Sequence, residues 1–210
     1  MVVSKKQKHE KTTQIITAAA RVFSKNGFSN TVMVDIALEA GIGKGTIYEY
    51  FKSKEDLFFA VFEWFSKKIE KTKSVGVSKL GGTASERLKT LNDSLMNSWF
   101  ETKDLFTLVM EFWSASSSSV LRERFKNAFH SMYKEYRYYV ASLLQDGVEH
   151  KEFRNDININ SVAAGLVGTW DAIFLQAWFD ESFDPITTSR DFLDVLLKGL
   201  AIHDLKPLLS

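Results

Sequence analysis

Only two of the chain's 210 residues are proline, Pro185 and Pro207, and few stretches alternate β-branched apolar residues with polar ones. Proline fixes φ and removes an amide donor, so its scarcity leaves little to interrupt helices. Apolar residues recur instead at three- and four-residue steps, the period of an amphipathic helix. The chain therefore reads as all-α. Its apolar content, 45% of residues, is enough for a substantial core without covalent staples. Cysteine is absent, which excludes disulfides, thiolate metal sites and cysteine nucleophiles and is compatible with a reducing cytoplasm.

The periodicity places about nine helices, near 11–25, 33–40, 44–50, 53–73, 83–100, 102–115, 119–149, 159–179 and 187–203. Gly27 closes the first, and Gly41-Ile42-Gly43 makes a tight turn between the second and third. Ser53 caps the fourth, with Glu55 and Asp56 suited to the positive end of its dipole. Residues 74–82, with three glycines and two serines, read as a linker. The segment 159–179 is apolar nearly all round, as in a helix buried on several sides. Asp171 and Gln176 interrupt it too much for a membrane span.

The formal net charge of +1 hides an asymmetry. Residues 1–54 hold nine Lys/Arg against four Asp/Glu, and the remainder eighteen against twenty-two. The basic character that nucleic acid requires thus sits in the first quarter. The start is polar (Lys5, Lys6, Lys8, Lys11), with no apolar run resembling a signal peptide, so a soluble cytoplasmic protein is expected.

Four features follow in order: Gly27-Phe28; Asp35-Ile36-Ala37 with Ala40-Gly41; Lys44-Gly45-Thr46-Ile47-Tyr48-Glu49-Tyr50-Phe51; and Lys52-Ser53-Lys54-Glu55-Asp56-Leu57. In order and spacing they resemble the DNA-binding region of the TetR family of bacterial regulators. The resemblance implies a helix-turn-helix domain over 1–54, with 44–50 as the recognition helix, and a ligand-binding and dimerisation domain over 55–210. The residue chemistry agrees. Gly43 and Gly45 let a backbone approach DNA closely, and Ile47 and Phe51 face inward with Ile36 and Ala37. Lys44, Thr46, Tyr48 and Tyr50 are left outward. Lys44 and Lys54 can neutralise phosphates, Tyr48 and Tyr50 can offer hydroxyls to them, and Thr46 can reach a base edge. Thr31 resembles the family hydroxyl that begins the second helix and touches phosphate. The pattern departs at Val32 and Val34, which replace hydroxyl and basic residues, and at Gly43, which replaces a serine cap. Glu49 either points away from DNA or accepts from a cytosine amino group.

Beyond residue 57 the resemblance implies a dimer built from the last two helices. Ala163, Ala164, Gly165 and Gly168 allow close helix approach, and Leu193, Leu196, Leu197 and Leu200 form an apolar stripe. Two-fold symmetry then implies a palindromic double-stranded operator, with half-sites roughly 34–36 Å apart. Aromatic residues crowd the body. Trp64, Trp99, Phe106, Trp113, Phe129, Tyr133, Tyr136, Trp170 and Phe174, with Met110, are candidates to line a cavity for a small apolar or aromatic effector. Two carboxylates, Glu111 and Asp171, interrupt otherwise apolar helices. Each either orients a ligand or is paired with an arginine or set at a wet helix edge.

These features read together as a ligand-responsive transcriptional regulator, a repressor released by its effector. The alternatives are an activator of the same fold and a small-molecule-binding enzyme of helical fold. No metalloprotease, nucleophile-elbow, dinucleotide or phosphate-loop motif occurs, and His9, His130, His150 and His203 are widely spaced. No catalytic residue, metal or cofactor is expected. An excess of five positive charges is also too small for a protein that coats DNA.

Overall fold

The structure, a computed structural model, describes residues 5–74, 81–102, 105–118 and 120–202; the expected linker residues 75–80 and His203 lie outside them. Among the described residues there are nine α-helices: α1 (Lys5–Asn30), α2 (Met33–Glu39), α3 (Lys44–Tyr50), α4 (Lys54–Ser74), α5 (Ala84–Thr102), α6 (Phe106–Ser118), α7 (Arg122–Glu149), α8 (Ile159–Phe179) and α9 (Pro185–Leu200). The all-α expectation holds, with one isolated β-bridge between Phe153 and Ala201.

The chain forms two compact units, residues 1–70 with 102–128 and residues 71–101 with 129–210. In the first unit α1 buries Ile15, Ala18, Ala19 and Phe23, α2 buries Met33, Ile36 and Ala37, and α3 buries Ile47. An aromatic cluster continues this core. Phe58 of α4 meets Phe23 edge-on with ring centroids 5.1 Å apart, Phe28 at 4.5 Å, Phe112 of α6 at 5.0 Å and Phe125 of α7 at 5.6 Å. Such pairs add about 0.5–1.5 kcal/mol each beyond the area they bury. The compact unit consequently does not end at Lys54, because the first three helices share their core with α4, α6 and the start of α7.

The second unit packs α5, the rest of α7, α8 and α9. A buried polar chain runs through it. The Trp170 indole N–H donates to Asn92 Oδ1 (3.0 Å), the Asn92 amide donates to Ser189 Oγ (3.0 Å), and the Ser189 hydroxyl donates to the Ile186 carbonyl (3.0 Å). Buried polar groups are tolerated when satisfied in this way, and such a chain fixes the register of the helices it joins. The end of α7 is equally specific. The Phe153 ring lies where a side chain at Gly147 would project, and Lys151 takes φ 59°. The Glu152 carboxylate then accepts from the amides of Ala84 (2.7 Å) and Ser85 (2.9 Å), capping α5. Helix α9 starts two residues before the expected position because Asp184 caps it, accepting from the amides of Ile186 and Thr187, with Pro185 in the first turn.

Helix α8 is long and apolar enough, by length and composition alone, to cross a membrane. One flank, comprising Ala163, Leu166, Val167, Trp170 and Ile173, is buried in the second unit.

Candidate DNA-binding site

The α2–turn–α3 element is held by several local contacts. After α2, Gly41 adopts φ 62°; its amide donates to the Leu38 carbonyl (3.0 Å) and the Ile42 amide to that of Ala37 (2.9 Å). This is a Schellman closure, which requires a left-handed residue and so favours glycine. From α1, the Gln14 side chain donates to the Ala40 carbonyl (2.7 Å), and Arg21 pairs with Glu39 (2.7 Å). Fully buried Ile47 pins α3 on its inner side. On the outer side Lys44, Gly45, Tyr48 and Glu49 are exposed, with Thr46 and Tyr50 half-exposed. A Cβ at Gly45 would meet nothing within 4 Å, so the backbone there is open to an approaching surface. Phe51, expected wholly inside, is half-exposed.

Two expected DNA contacts are corrected. Thr31 is fully buried and its hydroxyl donates to the Gly27 carbonyl at 2.7 Å, so it ties the loop after α1 and offers nothing to phosphate. Lys54 is likewise committed inside the chain. Its ammonium donates to the carbonyls of Phe28 (2.7 Å), Thr31 (2.9 Å) and Ser29 (3.3 Å) and lies 4.4 Å from the Phe28 ring centroid. A cation at a helix C-terminus satisfies orphan carbonyls and the negative end of the dipole together. The residue type suggested phosphate, but the local acceptors take the charge.

The expected effector residues divide between the units. Trp64, Phe106, Met110, Glu111 and Trp113 belong to the first, and Trp99, Phe129, Tyr133, Tyr136, Trp170, Asp171 and Phe174 to the second. The Trp99 side chain lies outside the described residues. Glu111 is half-exposed, and its carboxylate sits against Gly27, 3.0 Å from where a Cβ would stand, at the φ 75° break that ends the regular part of α1. Trp170 is corrected to core by its bond to Asn92. Tyr133 and Asp171 do meet, the tyrosine hydroxyl donating to Asp171 Oδ2 at 2.8 Å. Burial pushes the Asp171 carboxyl up, with the Tyr133 bond partly opposing it. Burial, the Asp171 charge and the bond to it raise the Tyr133 phenol. A structural Asp171 was expected either to pair with an arginine or to sit at a wet helix edge, and a tyrosine holds it instead. The Phe129 ring stacks on Tyr133 at 6.5 Å.

The family model for bacterial regulatory proteins of the tetR family matches residues 15–61, the span of the helix-turn-helix just described. The fatty acid metabolism regulator protein of Bacillus subtilis is 28% identical over 198 residues, covering 93% of this chain and 98% of that relative. Over residues 15–61 this chain is TetR-like. A second relative, the HTH-type transcriptional repressor KstR2 of Rhodococcus jostii, is 28% identical over 194 residues, 90% of each chain. Among solved structures, FadR of Bacillus subtilis in complex with stearoyl-CoA superposes with TM-score 0.73 at 26% identity, covering 91% of this chain and 99% of that one. The chain is accordingly a helix-turn-helix transcriptional regulator, and its relatives over nearly the full length are regulators rather than enzymes.

The expected dimer stripe is corrected too. Leu193, Leu197 and Leu200 are buried within the subunit, and Leu196 is half-buried. The apolar residues that α9 exposes are Phe192 and Val195 (70% exposed), with Gly199 a turn further on and exposed Ile202 just past the helix end. Their three- and four-residue spacing was present in the sequence, but the richer leucine stripe masked it. On α8, Ala164, Gly165, Gly168 and Ala172 are exposed, followed by Phe179.

Proposed function

We propose that this regulator is a cytoplasmic repressor that holds a palindromic operator as a homodimer and releases it when a long-chain acyl effector binds residues 55–210. The observation that carries the DNA half is α3, whose buried Ile47 leaves Lys44, Thr46 and Tyr48 on an open face beside bare Gly45. Lys44 neutralises a phosphate, Tyr48 and Tyr50 offer hydroxyls to phosphates, and Thr46 reads a base edge. The exposed faces of α8 and α9 support a dimer, because glycine and alanine beside Phe192, Val195 and Ile202 form an apolar surface that soluble monomers avoid. The dimer contacts are then Ala164, Gly168, Leu196, Phe192 and Val195.

A lipophilic effector is supported by the aromatic residues that the second unit gathers near Asp171, Phe129 and Tyr133, and the acyl class by the fatty acid regulator and by FadR bound to stearoyl-CoA. Tyr133 and Asp171 supply the polar contact that orients it. The test is selection from randomised duplexes, followed by mobility shift with and without stearoyl-CoA. Enrichment of an inverted repeat with half-sites about one helical turn apart, and its loss from the protein on adding stearoyl-CoA, is expected. Absence of any enriched sequence refutes the DNA half. Unchanged affinity across saturated acyl-CoAs refutes the effector half.

A further inference from the structure

The outer side of α2 is hydrocarbon. Val32, its N-cap, is 55% exposed, Val34 in its first turn 37%, and Leu38 one turn later 74%. Val34 and Leu38 share a face, being four residues apart. Met33, Ile36 and Ala37 already fill the inner side, so these side chains are surplus to the core. No lysine or arginine occurs between Lys25 and Lys44, and Lys54 is spent on backbone carbonyls. The Val32 amide is turned to Asp35 Oδ2 (3.4 Å).

This edge therefore has little with which to solvate a phosphate, and closing it against one would dehydrate a charge with nothing in exchange. The first helix of a helix-turn-helix crosses the DNA backbone beside the groove that its partner helix enters. That groove offers one apolar group, the thymine C5-methyl. We propose that Val34, assisted by Val32, reads thymine methyls, making the first turn of α2 a specificity element. The inference rests on the DNA-binding reading above.

The test uses the full-length dimer and the duplex that it selects. Each thymine of a half-site is replaced in turn by deoxyuridine, which removes only the methyl, and affinity is read by fluorescence anisotropy for the wild type and V34A. Burial of one methyl predicts that one such replacement weakens the wild type about fourfold per half-site. The same replacement leaves V34A unchanged. If every replacement stays within twofold for the wild type, or weakens both proteins equally, the proposal is overturned. A selection that enriches nothing overturns it together with the reading beneath it. Val34 lies outside the core, and an unchanged melting temperature for V34A verifies that the fold is intact.

Discussion

Replacing Lys54 with methionine separates two roles that a lysine at this position could have. The side chain keeps its stem against Phe28 but loses three ammonium-to-carbonyl hydrogen bonds, at 2.7, 2.9 and 3.3 Å. Bonds to charged groups contribute about 1.5–3 kcal/mol each when removed singly. The longest is weak, and the freed carbonyls are near enough to solvent to take water, so the sum shrinks to about 2–3 kcal/mol. In a chain of this size that lowers the melting temperature by roughly 5–10 °C. The salt dependence of operator binding should not change, since no phosphate contact is lost. K44A gives the opposite pattern: an unchanged melting temperature, and a slope of log K against log salt reduced by about 1.8 for two phosphate contacts per dimer. Both quantities come from thermal denaturation and from anisotropy titrations over a salt series. A K54M protein that melts normally yet shows the reduced slope refutes the assignment of Lys54 to the end of α1.

Gly168→Leu should leave the subunit folded, since a Cβ there meets nothing within 4 Å, while converting the dimer to monomer in light scattering; a G168L dimer of native affinity excludes this face. Asp171→Asn should stabilise the protein at neutral pH. With its folded-state pKa raised by burial, Asp171 favours the fold fully below the ordinary value of 3.8 and loses that contribution as pH rises through the raised pKa. The melting-temperature gap between D171N and wild type therefore widens from pH 4 to pH 7, and a gap that narrows or reverses contradicts the burial. Gly147→Ala gains about 1 kcal/mol of helix propensity. The new Cβ strikes the Phe153 ring and comes within 2.9 Å of Ala84 Cβ, so overpacking of about 2–3 kcal/mol wins, and denaturation should show a net loss.

Caps and periods made the fold legible. Helices α3 and α8 occupy the expected residues because Gly43 and Asn158 begin them, the latter accepting from the Ser161 amide. Side-chain partners were not legible in the same way. Nothing in the motif shows that the carbonyls at 28, 29 and 31 converge on Lys54, since that depends on the chain doubling back across more than twenty residues. Helix α9 is apolar on two faces, and periodicity cannot say which one looks inward. Ser189 decides it by reaching Asn92, turning Leu193 and Leu197 to the core and Phe192 and Val195 out. The setting of Glu111 was hidden for a similar reason, since it lies against Gly27, far earlier in sequence.

The aromatic cluster around Phe58 bears on how such regulators can be recombined. Grafting residues 1–54 onto a foreign body would leave Phe23 and Phe28 without Phe58, Phe112 and Phe125, and Gly27 without the carboxylate shaped to it. The DNA-reading end is not a portable cassette. A functional chimera of this protein needs α4, α6 and the opening turns of α7 to travel with the first three helices, so the donor contributes two separate stretches of sequence.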